Sequence, residues 1–300
     1  MMRMMLALLL AVSPYAASAK LNVFACEPEW AALATEIGQS LVETYSATTA
    51  LQDPHYIQAR PSLIAKVRQA DLVICSGAEL EIGWLPALLQ KANNRRVMPG
   101  KPGYMEASNH VLRLDATTNV DRAQGDIHPL GNPHIQTNPH NLAAVAGALG
   151  RRMASIDAAN AEAFHEGLAS LLQRWEAAIA AWEARAAPLR GARGITHRNS
   201  GVYLERRLGI EEAANLEAIQ GLPPTATHLS RLTSEFREGG ADFIIRSPYQ
   251  DARASEWLSE RIGVAAIVLP LTVGGTDEAE DLFSLFDDII ERLLKARRHD

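Results

Sequence analysis

From Lys20 onward the chain alternates short apolar runs with longer amphipathic stretches. Apolar runs of three to six residues are typical of buried strands, and apolar residues three and four apart are typical of one buried helix face. Strands are predicted over 21–25, 41–46, 72–76, 194–196, 243–246 and 265–269. Helices are predicted over 29–40, 61–69, 85–92, 141–156, 158–187, 200–208, 225–238, 252–261 and 278–298. This alternation predicts the α/β class.

The segment 158–187 is the strongest organisational marker. It contains no proline and a single glycine, Gly167, and it is rich in alanine, leucine, glutamate and arginine. A helix of this length reaches about 45 Å, which is long for the interior of one α/β domain. We interpret it as a rigid connector between an N-terminal α/β lobe (20–157) and a C-terminal α/β lobe (188–300); an ordinary long surface helix is the alternative.

Residues 1–19 have the pattern of a cleavable signal peptide. Arg3 supplies the positive charge, residues 4–12 are apolar, and Ala17, Ser18 and Ala19 form a small-residue cleavage site. The apolar run falls short of the roughly 20 residues that cross a bilayer, so a membrane anchor is the weaker alternative. The prediction is an exported, soluble, periplasmic protein.

Charge and cysteine content narrow the classes of partner. The chain carries 29 Lys and Arg against 35 Asp and Glu, a formal charge of −6, without a basic stripe, which argues against nucleic acid. Its two cysteines, Cys26 and Cys75, end apolar strand-like runs. In an oxidising compartment a disulfide between them is plausible, with two free buried thiols or, less favoured, a cysteine metal site as alternatives.

Three histidines lie in short segments suited to holding a metal ion: His55 in Gln-Asp-Pro-His, His134 in Gly-Asn-Pro-His and His197 in Gly-Ile-Thr-His. Neutral imidazole is a good ligand for Zn²⁺, and three such ligands leave one coordination position open. Two of the histidines precede the long helix and one follows it. A shared ion would therefore lie between the lobes.

The fourth ligand is expected to be a carboxylate. Asp277, just before the last helix, is the main candidate, although an acid there is also a typical helix-start charge; Glu217 is a weaker choice. His128, six residues before His134, is a candidate ligand, a capture site near the mouth or a solvated loop residue. We expect the other five histidines to be structural or exposed.

Catalytic motifs for serine hydrolases, zinc proteases and nucleotide binding are absent from the sequence. The carboxylate pairs Glu27 with Glu29 and Glu79 with Glu81 are interpreted as helix-start charges and solvated faces. A three-histidine zinc site with an open position is able to activate water, so a zinc-dependent hydrolase is the runner-up. A metal-binding adhesin or storage protein is the third hypothesis.

The whole mature chain resembles the periplasmic metal-binding proteins of zinc and manganese ABC importers. The motifs that carry the resemblance are Asp53-Pro54-His55, Pro61-Ser62, Ala70-Asp71-Leu72-Val73, Gly77-Ala78-Glu79-Leu80-Glu81, Asn132-Pro133-His134, Asn138-Pro139 with Asn141, Thr196-His197, Tyr203-Leu204 and Leu208-Gly209. The resemblance implies two α/β lobes joined by one long rigid helix, with the metal held in the cleft by His55, His134 and His197.

The resemblance also implies a function. Three histidines resemble the zinc members more than the manganese members, so Zn²⁺ is the expected cargo and Mn²⁺ the less favoured one. The expected protein is a monomeric, non-enzymatic receptor that delivers zinc to a membrane permease driven by a separate ATPase. Two departures stand out: the His-rich loop of many zinc members is missing, and Pro270 occupies the place of the family's usual Asp after the last strand.

Overall fold

The structure, a computed structural model, describes residues 19–118 and 125–297. Two four-stranded sheets, both entirely parallel, form the cores of two α/β lobes. The strand order is β2-β1-β3-β4 in the first sheet and β6-β5-β7-β8 in the second. The predicted class, two α/β lobes with a long helix between them, is confirmed.

The strands are β1 (Leu21–Ala25), β2 (Val42–Ser46), β3 (Leu72–Cys75), β4 (Tyr104–Glu106), β5 (Arg193–Thr196), β6 (Glu211–Asn215), β7 (Phe243–Arg246) and β8 (Ala265–Val268). The α-helices are α1 (Pro28–Gly38), α2 (Pro61–Gln69), α3 (Leu85–Ala92), α4 (Pro139–Ile156), α5 (Ala161–Ala186), α6 (Val202–Leu208), α7 (Ala226–Phe236), α8 (Ala252–Ile262) and α9 (Leu282–Arg297).

The apolar runs predicted the central strands, which are largely buried as in other parallel sheets, and also the edge strands β2 and β8, which are largely half-buried. All four residues of β3 are buried, for example. Two strands, β4 and β6, escaped prediction, and both are sheet edges. The strand β4 has only three residues, and β6 (Glu-Glu-Ala-Ala-Asn) begins with two exposed glutamates. Short or charged strands are how proteins protect a sheet edge, so the apolar signal is missing there.

The helix α5 joins the two lobes. It is slightly shorter than predicted, 26 residues or about 39 Å, and it buries seven residues along one face. Its first half packs on α1 and α4 and its second half on α9. At Gly167 a side chain would collide with the carbonyl oxygen of Ile37 in α1, so the glycine permits this close approach.

Aromatic side chains fix the second half of α5. The rings of Trp175 and Trp182 meet edge to face, 5.0 Å apart, and Phe286 of α9 packs against both. Each indole also has a polar partner: Trp175 donates to the carbonyl of Pro139 (2.8 Å) and Trp182 to the carboxylate of Asp287 (3.1 Å). A single core cluster therefore runs through α1, α4, α5 and α9 and ties both sheets to the helix.

The predicted signal peptide, 1–19, falls almost entirely outside the described residues. Among the residues that the structure describes, no helix combines the length and hydrophobicity needed to cross a membrane.

Candidate metal centre between the lobes

Each sheet has its strand-order reversal beside its first strand, between β1 and β3 in one lobe and between β5 and β7 in the other. Ligands of open α/β sheets bind outside the carboxyl ends of the strands at this place. In the first lobe, Cys26 and Cys75 lie there and form a disulfide, with their Cα atoms 4.8 Å apart. In the second lobe, His197 lies there, directly after β5, and its backbone N–H donates to Ile245 in β7 (2.8 Å).

His55 lies in the loop after β2 and is held by its neighbour Asp53. The Asp53 carboxylate accepts from both the backbone N–H and the ring Nδ1 of His55, at 3.1 and 2.6 Å. Burial favours the protonated acid, but the hydrogen bond and charge of His55, with the charge of Arg198, outweigh it and lower the pKa of Asp53 to about 2. An ionised Asp53 only accepts, so Nδ1 of His55 carries a proton and Nε2 is the ring nitrogen left to bind a metal.

Two more histidines approach that nitrogen. Nε2 of His128 lies 3.1 Å from Nε2 of His55, and the ring of His134 lies 5.8 Å from the His55 ring, centroid to centroid. His134 is buried, and its backbone N–H donates to the side chain of Asn132 (3.0 Å). The same Asn132 donates to the backbone of Asn199 in the other lobe (2.8 Å), so the loop that presents His134 is fixed across the seam between the lobes.

The environment favours the neutral imidazoles of His128 and His134. Burial, followed by the charge of His55, lowers the pKa of His128 to about 4. Burial, followed by the charges of His55 and His128, holds the pKa of His134 well below its usual value. Neutral imidazole is the form that binds metal.

His197 is buried but stands apart from the other three. Its Nε2 lies 3.5 Å from a carboxylate oxygen of Glu217, and its Nδ1 is buried without a hydrogen-bond partner. Within 19–118 and 125–297, no three of the four histidines have ring nitrogens that all lie within 4.8 Å of one another. The ring of His55 lies 5.2 Å from that of His128 and 5.8 Å from that of His134, centroid to centroid, whereas His197 lies beside Glu217.

Arg198, which the sequence analysis did not single out, lies between these groups. Its guanidinium donates to both oxygens of Glu217, at 2.9 and 3.4 Å, and to Asp53 at 3.3 Å, and it lies 3.6 Å from Asp126. The side chain is only 7% exposed. Because Asp53 and Glu217 belong to opposite lobes, this cation links the lobes beside the histidines. The sequence does contain a signal for Arg198: it directly follows the candidate ligand His197, at the carboxyl end of the buried strand β5.

The two carboxylates considered as a fourth ligand differ in position. Asp277 is exposed in the loop before α9, and no contact joins it to a histidine in the described part of the chain. Glu217 is buried beside His197 but is already engaged by Arg198 and by the N–H of Gly221 (2.7 Å). Neither is free and near the cluster of His55, His128 and His134.

The interpretation of the paired carboxylates as helix-start charges holds for Glu27 and Glu29, which lie at the N-cap and in the first turn of α1, but their expected solvation was wrong for three of the four. Glu27, Glu29 and Glu81 are buried; Glu79 alone is exposed. Burial raises the pKa of Glu29 and of Glu81 to about 7, and burial together with the charges of these two neighbours raises that of Glu27. Glu29 accepts a hydrogen bond from Thr272 of the C-terminal lobe, and Glu27 accepts one from the backbone of Ser76, 49 residues along the chain; the local pattern shows neither contact.

Comparison with known families decides the relationship. The model of the family described as zinc-uptake complex component A, periplasmic (ZnuA), matches residues 23–296, nearly the whole described chain. The chain belongs to the ZnuA family.

Relatives of this ZnuA-family chain include substrate-binding lipoproteins of metal ABC transporters, one of them named for manganese. It is 26% identical over 163 residues to the metal ABC transporter substrate-binding lipoprotein ScbA of Streptococcus cristatus, covering 53% of this chain and 49% of that one. It is 24% identical over 172 residues to the manganese ABC transporter substrate-binding lipoprotein PsaA of Streptococcus pneumoniae, covering 54% and 50%. The chain thus spans about half the length of the curated relatives that it matches.

Solved structures match the fold over nearly its full length. A crystal structure of ZnuA aligns with a TM-score of 0.77 at 20% identity, covering 93% of this chain and 99% of that one. A manganese-bound periplasmic metal-binding protein from Candidatus Liberibacter asiaticus aligns with a TM-score of 0.73 at 14% identity, covering 91% and 98%. The same fold is thus seen in this manganese-bound protein and in a zinc-bound deletion mutant of ZnuA, which aligns with a TM-score of 0.76 at 18% identity.

Proposed function

We propose that this protein is a periplasmic receptor that captures Zn²⁺ between its lobes and delivers it to an ABC-type permease and its ATPase. The proposed ligands are His55, His134 and His197, and the protein acts as a monomer without catalysing a reaction. Membership of the ZnuA family supports metal uptake as the role. The observation that carries the site is the Asp53–His55 pair, which presents a ring nitrogen toward two further histidines at the seam between the lobes.

The donor set supports zinc over manganese. Imidazole nitrogen suits Zn²⁺, whereas Mn²⁺ favours carboxylate, carbonyl and water oxygens. The carboxylate of Asp53 bonds Nδ1 of His55 at 2.6 Å, the ring nitrogen that faces away from His128, which makes Asp53 an orienting group rather than a ligand.

His197 has to approach the other ligands for all three to share an ion. Its Nδ1 has no partner and its contact with Glu217 is long at 3.5 Å, so a rotation of the ring breaks little. An ion at this place would link a residue that follows β5 in the C-terminal lobe to residues that precede α4, and so couple metal binding to closure of the seam.

Competitive titration of the metal-stripped mature protein with Zn²⁺ and with Mn²⁺ tests the proposal. We expect one tight zinc equivalent, weaker manganese binding, and a large loss of zinc affinity in His55→Gln, His134→Gln and His197→Gln. His165→Gln, on the exposed face of α5, is the matched control and should bind like the wild type. Wild-type zinc affinity in both His55→Gln and His134→Gln would contradict the proposed site.

A further inference from the structure

The identity of the fourth ligand, which completes the site, rests on the proposed zinc-binding function. We propose that His128 is a direct metal ligand that pairs with His55 on the same ion, in the place where a carboxylate was expected.

The distance between the two rings is the first argument. Two nitrogens bound to one tetrahedral zinc at 2.0–2.1 Å are separated by about 3.3 Å. Nε2 of His55 and Nε2 of His128 lie 3.1 Å apart, already close to that separation. Because Asp53 holds a proton of His55 on Nδ1, the nitrogen that faces His128 is Nε2, the one left to bind a metal.

The backbone around His128 is built to hold it there. The N–H of Asp126 donates to the carbonyl of Gln220 in the C-terminal lobe (3.0 Å), and the carbonyl of His128 accepts from the N–H of Gly131 (2.9 Å). The hydroxyl of Tyr56, the residue after His55, donates to the Asp126 carboxylate (2.8 Å). The segments that carry His55 and His128 are thereby joined to each other and to the second lobe.

The position of His128 also fits the approach of an ion from solvent. His55 and His134 are buried, whereas His128 is half-buried and lines an open cavity with Asp115, Asp126 and Asn199. An ion entering from this cavity meets His128 first and Nε2 of His55 next. His128 would then complete the site on its solvent side, a role for which Asp277 is badly placed.

The competing explanation of the 3.1 Å contact is a simple N–H···N hydrogen bond between two neutral rings. The substitution His128→Gln distinguishes a metal ligand from such a hydrogen bond, because the glutamine amide still donates a hydrogen bond to His55 but supplies no imidazole. The test compares His128→Gln with Asp277→Asn in the mature, metal-stripped protein. It measures zinc affinity by competition and the number of imidazole ligands by zinc K-edge X-ray absorption.

We expect His128→Gln to weaken zinc binding at least about tenfold, because even the loss of a group that only supports a metal ligand weakens binding by that much. The number of imidazole ligands should fall by one. Asp277→Asn should match the wild type. An unchanged imidazole count in His128→Gln overturns the inference. If His55→Gln and His134→Gln weaken binding while His128→Gln does not, the inference alone fails; if none of the three weakens it, the proposed site fails as well.

Discussion

Arg198→Met should destabilise the metal-free protein, because Arg198 is the buried cation that links the lobes. The guanidinium satisfies both oxygens of Glu217 and reaches Asp53 across the seam. Methionine fills a similar volume without charge. The substitution therefore leaves the Glu217 carboxylate, 6% exposed, without its two charge-assisted hydrogen bonds.

The magnitude follows from the environment of the orphaned carboxylate. Removing one partner of a buried ion pair costs about 3–5 kcal/mol, because the other charge stays buried and uncompensated. Glu217 keeps the hydrogen bond from Gly221 N–H at 2.7 Å, and Asp53 keeps His55. We therefore expect the low end of the range, a loss of about 3 kcal/mol in the free energy of unfolding.

Urea unfolding at pH 7, followed by tryptophan fluorescence and circular dichroism, measures this loss as a lower midpoint at unchanged slope. Arg231→Met is the matched control, since its pair with Glu235 lies on an exposed helix face and should change stability by less than about 0.5 kcal/mol. The double variant Arg198→Met with Glu217→Met should regain much of the loss, because no buried charge remains. A loss below about 1 kcal/mol in Arg198→Met, or strictly additive losses in the double variant, would refute this reasoning.

Three further predictions concern stability. Gly167→Ala should cost about 1–3 kcal/mol by urea unfolding because its methyl group meets the backbone of α1, whereas Gly147→Ala in α4, which faces only a flexible arginine, should be neutral or stabilising; equal effects would contradict the close packing. Burial raises the pKa of Glu205 to about 8, so the free energy of unfolding should fall by on the order of 4 kcal/mol as pH rises from about 5 to 8 and the buried acid ionises. Glu205→Gln cannot ionise and should not show this fall. A variant with the same pH profile as the wild type contradicts this. Replacing Cys26 and Cys75 together by alanine opens a crosslink between residues 49 apart and should lower the free energy of unfolding by about 2–4 kcal/mol, and a midpoint equal to the wild type would count against a formed disulfide.

The parts of the fold that are local in sequence were predictable. Buried strands such as β3 and β7 read as continuous apolar runs, and α5 as an uninterrupted helical pattern, because their burial leaves a periodic trace. The edge strands β4 and β6 were not predictable in the same way. The strand β4 is too short and β6 too charged to form an apolar run, as is usual where a sheet edge is protected from pairing.

The same distinction holds for the candidate site: short motifs are visible in the sequence, and contacts between distant residues are not. Short motifs and places at strand ends and helix starts are what single out His55, His134 and His197 in the sequence, and their shared metal site stays a prediction. The pairing of His55 with His128 joins residues 73 apart, and that of Arg198 with Asp53 joins residues 145 apart, so no local pattern signals either. The hydrogen bonds of Glu27 with Ser76, 49 residues apart, and of Glu29 with Thr272, 243 residues apart, likewise form only in the folded chain.

Anomalous diffraction from a crystal of the mature protein grown with one equivalent of zinc tests the central claim most directly. The account predicts one strong zinc peak between the lobes, about 2.0–2.1 Å from a ring nitrogen of His55 and of His134. A fully occupied zinc that touches neither residue, with only surface histidines such as His140 as ligands, would contradict it.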